Sequence, residues 1–111
     1  MTEVITDKER IEKIISTNIK GKKLIFTRHY RISSAQKGID DEKVIEIFSQ
    51  FNKVYAIEKD VLRYGDIGYE LFYDLSNNTY FSIAVCPKDN EILIIHAVEY
   101  KRKLDSRLRR R

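Results

Sequence analysis

A chain of 111 residues has room for one domain and one hydrophobic core, which excludes a two-domain organisation. Its single cysteine, Cys86, excludes an internal disulfide framework and a paired-thiolate zinc site, and no apolar run approaches the ~20 residues of a membrane span. The net charge of +4 is uneven: residues 101–111 hold seven Lys/Arg against Asp105, a tail of +6, so the remaining 14 basic and 16 acidic residues leave positions 1–100 at −2.

The opening MTEVITDKER lacks the apolar centre of a signal peptide, so a cytoplasmic protein without membrane contact is expected. Thr6 with Glu9 three residues later forms a capping-box pattern, and Ile11, Ile14, Ile15 and Ile19 fall on one face of a helix that Gly21 can end. This predicts an N-terminal helix within residues 1–22. Lys23–Phe26 is a short β-prone run, after which Thr27 can cap a second helix ending before Gly38. That helix closes a basic stretch in which Lys20, Lys22, Lys23, Arg28, Arg31 and Lys37 occur with no acid between them. Asp40 caps a third helix with the buried stripe Val44, Ile47, Phe48 and Phe51, and Ile39 can staple onto Val44.

From residue 53 the apolar period changes to two. Strands are predicted at 53–57, 61–64, 69–75, 79–86 and 91–100, separated by turn-forming clusters. Helices followed by strands predict an α+β fold: N-terminal helices packed on one face of a four- to five-stranded antiparallel sheet. A core over residues 23–100 is then followed by a basic tail, 101–111, in which Tyr100, Leu104 and Leu108 recur every four residues, as suits a final helical segment. Four-residue hairpin loops would set Tyr73 opposite Tyr80 and Tyr80 opposite Ala97. Alternation would then turn Phe72, Phe81, Ile83, Val85, Ile92, Ile94, His96 and Val98 toward the helices. Tyr69, Leu71, Tyr73, Tyr80, Ser82, Ala84, Cys86, Leu93, Ile95, Ala97 and Glu99 would form the other face.

The sequence contains no glycine-rich phosphate loop, nucleophile elbow, helical His pair or EF-hand loop. Cations interleaved with aromatic groups remain, the combination with which proteins hold phosphates and stack on bases. The plain alternative is a solvated surface and a soluble tail. His29, within the basic helix, is either a proton acceptor or an ordinary surface histidine, whereas the neighbours of His96 suggest a hydrogen-bonded core residue. The tyrosines at 69, 73 and 80 could stack on bases, pack across strands or line a subunit interface, and a homodimer is one expected state. Asp74, Glu99 and Lys101 could gather as a divalent-metal site for phosphodiester cleavage, although surface salt-bridging accounts for them more simply.

The segments Leu24-Ile25-Phe26-Thr27-Arg28-His29, Lys37-Gly38-Ile39-Asp40-Asp41-Glu42-Lys43-Val44 and Ile94-Ile95-His96-Ala97 with the basic stretch beyond it resemble the RelE-like toxin superfamily. The BrnT-type branch and related small domains are nearest in pattern, over about residues 24–108. That resemblance implies a compact α+β protein that cleaves RNA without a metal or other cofactor and is neutralised by a DNA-binding antitoxin. The chain departs from the BrnT pattern at Gln36-Lys37, where that branch has Lys-His, and at Val98, where it has arginine.

Metal-free RNA cleavage needs a base for the 2′-hydroxyl, cations for the phosphorane and an acid for the leaving oxygen. The expected catalytic groups are His29, Glu99 and Lys37. Arg28, Arg31, Lys101, Arg102 and Arg107 would hold the RNA backbone, and Tyr73 or Tyr80 would stack on a base. Two alternatives stand beside this: a non-catalytic nucleic-acid-binding or regulatory domain, and a metal-dependent nuclease.

Overall fold

The computed structural model describes residues 2–101. Ten of those expected to shape function or fold, 102–111, therefore lie outside the described residues, Arg102, Arg107 and the predicted helical tail among them. The elements are β1 (Thr2–Ile5), α1 (Lys8–Ile14), β2 (Lys23–Phe26), α2 (Arg28–Lys37), α3 (Asp41–Phe48), β3 (Val54–Val61), β4 (Ile67–Asp74), β5 (Tyr80–Pro87) and β6 (Glu91–Tyr100).

They form one six-stranded sheet in the order β1-β3-β4-β5-β6-β2. Its neighbours pair antiparallel except β2, which runs parallel to β6. Two strands were not placed in the expected antiparallel meander: β1, which lies where only a helix was predicted, and β2, which joins the far edge. Because β1 and β2 occupy opposite edges, the chain crosses the sheet once through α1 and returns through α2 and α3. Both crossings use the same face. There Ile11, Ile15 and Ile19, Tyr30, and Val44, Ile47 and Phe48 pack on Ile57, Leu71, Tyr73, Phe81, Ile83, Ile92 and Ile94.

Local chemistry accounts for the helix ends. Asp7, rather than Thr6, caps α1 by accepting from the Arg10 amide at 3.1 Å. The helix continues as a π turn over Ile15–Ile19, closed by the Lys20 amide donating to the Ile15 carbonyl at 2.7 Å. Thr27 caps α2 and Asp40 caps α3, as predicted. Gly38 ends α2 at φ 68°, a left-handed conformation that glycine adopts without a Cβ clash.

The predicted strands at 53–57 and 61–64 merge into β3, and residues 62–66 make the turn instead, with the Leu62 amide bonded to the Asp66 carbonyl at 2.7 Å. The β4–β5 loop takes five residues, not four. Ser76, Asn77 and Asn78 all adopt positive φ, and the Leu75 amide reaches the Thr79 carbonyl at 3.0 Å. Tyr73 consequently faces Phe81, and Asp74 faces Tyr80. Between β5 and β6 an irregularity at Ile95 shifts the pairing from Val85–Ile94 to Ala84–His96, so Tyr80 meets Tyr100 rather than Ala97.

These two one-residue shifts exchange side chains between faces, since successive strand residues point to opposite sides. Tyr69, Leu71, Tyr73, Ala97 and Glu99 turn toward the helices. Phe72, His96 and Val98 turn away. The expected faces of β5 and of the first half of β6 stand.

Candidate nucleic-acid interface

Thr27 anchors the start of α2 to β6: its hydroxyl donates to the Ile94 carbonyl at 2.9 Å and accepts from the Tyr30 amide at 3.1 Å. Arg28 and His29 are exposed in the first turn that follows. Arg31 is ion-paired with Asp41, and its guanidinium lies 5.0 Å from the centre of the Phe26 ring and 5.8 Å from that of Tyr30. Asp41 also accepts from the Tyr30 hydroxyl at 3.0 Å, so this arginine is braced within a carboxylate and aromatic frame.

At the other end of α2, Lys37 Nζ reaches the Ala97 carbonyl at 3.4 Å. Glu99, brought to the helix side by the shift at Ile95, accepts from Lys43 Nζ at 2.9 Å and from Lys101 Nζ at 2.5 Å. Hydrogen bonds first from Lys101 and then from Lys43 hold its carboxyl below the usual carboxylate range. Lys37, Gly38, Ile39, Asp40, Lys43, Val98 and Glu99 bound an open hollow of about 460 Å³. The lining holds two lysines and two acids, Asp40 and Glu99, and Lys101, paired with Glu99 beside the hollow, brings the local charge to +1.

Of the expected catalytic groups, Lys37 and Glu99 come together and His29 does not share their hollow. Eight helix positions separate His29 from Lys37, about 12 Å of axial rise. Tyr73 is not available for stacking: it is fully buried on the helix side and donates its hydroxyl to the Phe48 carbonyl at 2.9 Å. Tyr80 lies on the opposite face from the lysines, edge-on to Tyr55 at 6.3 Å between ring centres.

The early basic stretch also divides. Lys22 donates to the Lys88 carbonyl at 2.5 Å, and Lys88 pairs with Asp66 at 2.9 Å, beside the start of β6. From Lys23, paired with Glu91, to Glu99 is eight strand positions, about 27 Å.

The register does not gather Asp74, Glu99 and Lys101. Asp74 turns away from the helices and accepts from the Ser76 amide at 3.0 Å, while Glu99 and Lys101 form their ion pair on the other side. Among the described residues no group of three His, Cys, Asp or Glu is placed to hold a metal ion. His96 is not a core histidine of the helix side either; it borders a hollow with Glu58, Asp60 and Glu70 on the far face.

Lys43 is the site residue that sequence reasoning missed. Within α3 it reads as an ordinary exposed position, and only the approach of β6 gives it Glu99 as a partner. No helix among the described residues is long and apolar enough to cross a membrane. Compared with protein-family models, curated proteins and solved structures, the chain matches none of them.

Proposed function

We propose that this domain binds RNA, holding phosphates on Lys37, Lys43 and Lys101 at the rim where α2, α3 and the end of β6 meet. The observation that carries this reading is that Lys37 of α2 and Lys43 of α3 line one open hollow, with Lys101, just past β6, held to it through Glu99. Cations held on a rigid scaffold and reachable from solvent suit a polyanion.

The RelE-like ribonuclease implied by the resemblance asks for more, and with it come an antitoxin partner and a proton acceptor near neutral pH. Glu99 is the acid nearest the lysines, but its two ion pairs keep it ionised, and a carboxylate with a lowered pKa takes up a proton poorly. This favours binding over cleavage as the primary activity.

The test uses labelled single-stranded RNA and the full chain across a salt series. Replacing Lys37 and Lys43 with alanine should weaken binding at low salt and flatten the log Kd against log salt slope by about 1.4, at roughly 0.7 per lost contact. An unchanged slope removes the assignment. Strand scission that survives a chelator and disappears in Glu99→Gln would establish the ribonuclease reading instead.

A further inference from the structure

A hollow of about 280 Å³ lies between α1 and the sheet and shares no residue with the rim of Lys37 and Lys43. Arg10, Lys13, Ile14, Thr17 and Asn18 reach it from α1 and the π turn that continues it, at spacings of three and four that put them on one helical face. Lys59 of β3 and Tyr69 of β4, directly opposite each other in the sheet, close it from below. Both turn toward the helices, because each stands two residues from a core position, Ile57 or Leu71.

The lining holds three cations and no carboxylate. Glu3, across the strand pair from Lys59, is the acid at its edge; it binds Arg10 at 2.8 Å, so the site keeps a net charge of +2. The side chains of Lys13, Lys59, Thr17 and Asn18 have no hydrogen-bond or ion-pair partner among the described residues. Tyr69 is the more telling group. It is only 6% exposed, yet its hydroxyl also has no partner among the described residues and is not sealed from solvent. Burial pushes this phenol up from its ordinary 10.0, so it stays a protonated donor. A buried hydroxyl costs free energy until something accepts from it, and cations converging on one hollow repel until an anion joins them.

We propose that this hollow binds the phosphate group of a small organic phosphate monoester, a site independent of the RNA-binding rim. Lys13, Lys59 and Arg10 hold the charge, and the Thr17 and Tyr69 hydroxyls and the Asn18 amide donate to the phosphate oxygens. The volume falls just under the about 300–1,000 Å³ of sites for drug-sized ligands, which suits a phosphate rather than a whole cofactor. Past Asn18 and Tyr69 the surface opens into a second hollow of about 520 Å³. Its two lysines, Lys22 and Lys88, balance Asp66 and Asp89, with Lys88 paired to Asp66 at 2.9 Å. That neutral lobe suits the uncharged polar body of the ester, and the cationic lobe its phosphate.

The test titrates the full chain with ribose 5-phosphate, adenosine 5′-monophosphate and inorganic phosphate at constant ionic strength, following backbone amides by two-dimensional NMR. The esters should move the amides of Thr17, Asn18, Lys59 and Tyr69 with a dissociation constant on the order of 1 mM or below. Lys13→Ala/Lys59→Ala, two surface changes, should weaken binding roughly tenfold or more. Tyr69→Phe keeps the buried ring and should weaken it about threefold to tenfold through the lost hydroxyl. Adenosine, which lacks the phosphate, should move none of these amides. No shift at about 10 mM ester, unchanged affinity in the lysine double variant, or equal shifts with adenosine overturns the site. Inorganic phosphate should bind more weakly than either ester, since it leaves the second hollow empty; equal affinity overturns the ester and assigns the hollow to the free ion. Lys37→Ala/Lys43→Ala should leave ester affinity unchanged, which separates failure here from failure of the RNA-binding reading.

Discussion

The two faces of the sheet are built from the same strands and solve burial differently. Toward the helices, Leu71, Tyr73, Phe81 and Ile83 meet side chains of α1, α2 and α3 in one continuous core. The polar tips within that core find partners, Tyr73 at the Phe48 carbonyl and Tyr30 at Asp41. Away from the helices, the intervening residues Glu70, Phe72 and Asp74 of β4 belong to a surface that mixes acids with aromatic rings. Residues one position apart thus enter a hydrocarbon interior or an electrostatic surface. Apolar content alone does not distinguish these fates; pairing register does.

The largest effect that should separate the faces is the loss of a core side chain. Leu71→Ala should cost about 2–5 kcal/mol by urea unfolding, since the helix layer cannot collapse freely into the cavity. A cost below about 1 kcal/mol would mean that the helices do not pack as a true second layer. Next in size is Tyr73→Phe, which keeps the ring but leaves the Phe48 carbonyl without its donor, at about 1–2 kcal/mol. Equal stability of this variant would place water, not a dry core, beneath α3.

A smaller effect should appear only in alkali. Burial first, and the hydrogen bond to Asp41 second, push the Tyr30 phenol up to about 12 from its ordinary 10.0. A folded-state pKa raised above the unfolded one means that the contribution is whole below about pH 10 and is lost as pH rises toward about 12. Thermal unfolding across that window should fall more steeply in the native chain than in Tyr30→Phe. Parallel curves would show that the Tyr30–Asp41 contact on the helix side does not couple to folding.

The ends of α2 and the start of α3 were legible because they depend on chemistry within a few residues. Thr27, Asp40 and Gly38 act as their local chemistry suggests. At the N-terminus the capping-box pattern pointed to Thr6, whereas Asp7, one residue later, is the cap. Strand β1 was not legible, because Thr2–Ile5 is four residues whose strand partner, β3, lies more than fifty positions away. Lys37 and Glu99 were identified as partners in one site, but Tyr73 was assigned to the wrong face and Asp74 was expected beside Glu99, from which the register separates it. A five-residue loop and a one-residue irregularity in β6 look nearly the same in sequence as the simpler hairpins they replace.

The amino-acid sequence by itself determined the α+β class, the caps of α2 and α3, the strands β4 to β6 and the concentration of charge near the C-terminus. These depend on periodicity, local hydrogen bonding and composition, all of which act over a few residues. Tertiary structure decided the six-strand order, the parallel edge strand, the face of each β4 and β6 side chain and the meeting of Lys37, Lys43 and Lys101 around Glu99. Those outcomes depend on non-local pairing, where one residue of slip moves a carboxylate from one side of the sheet to the other.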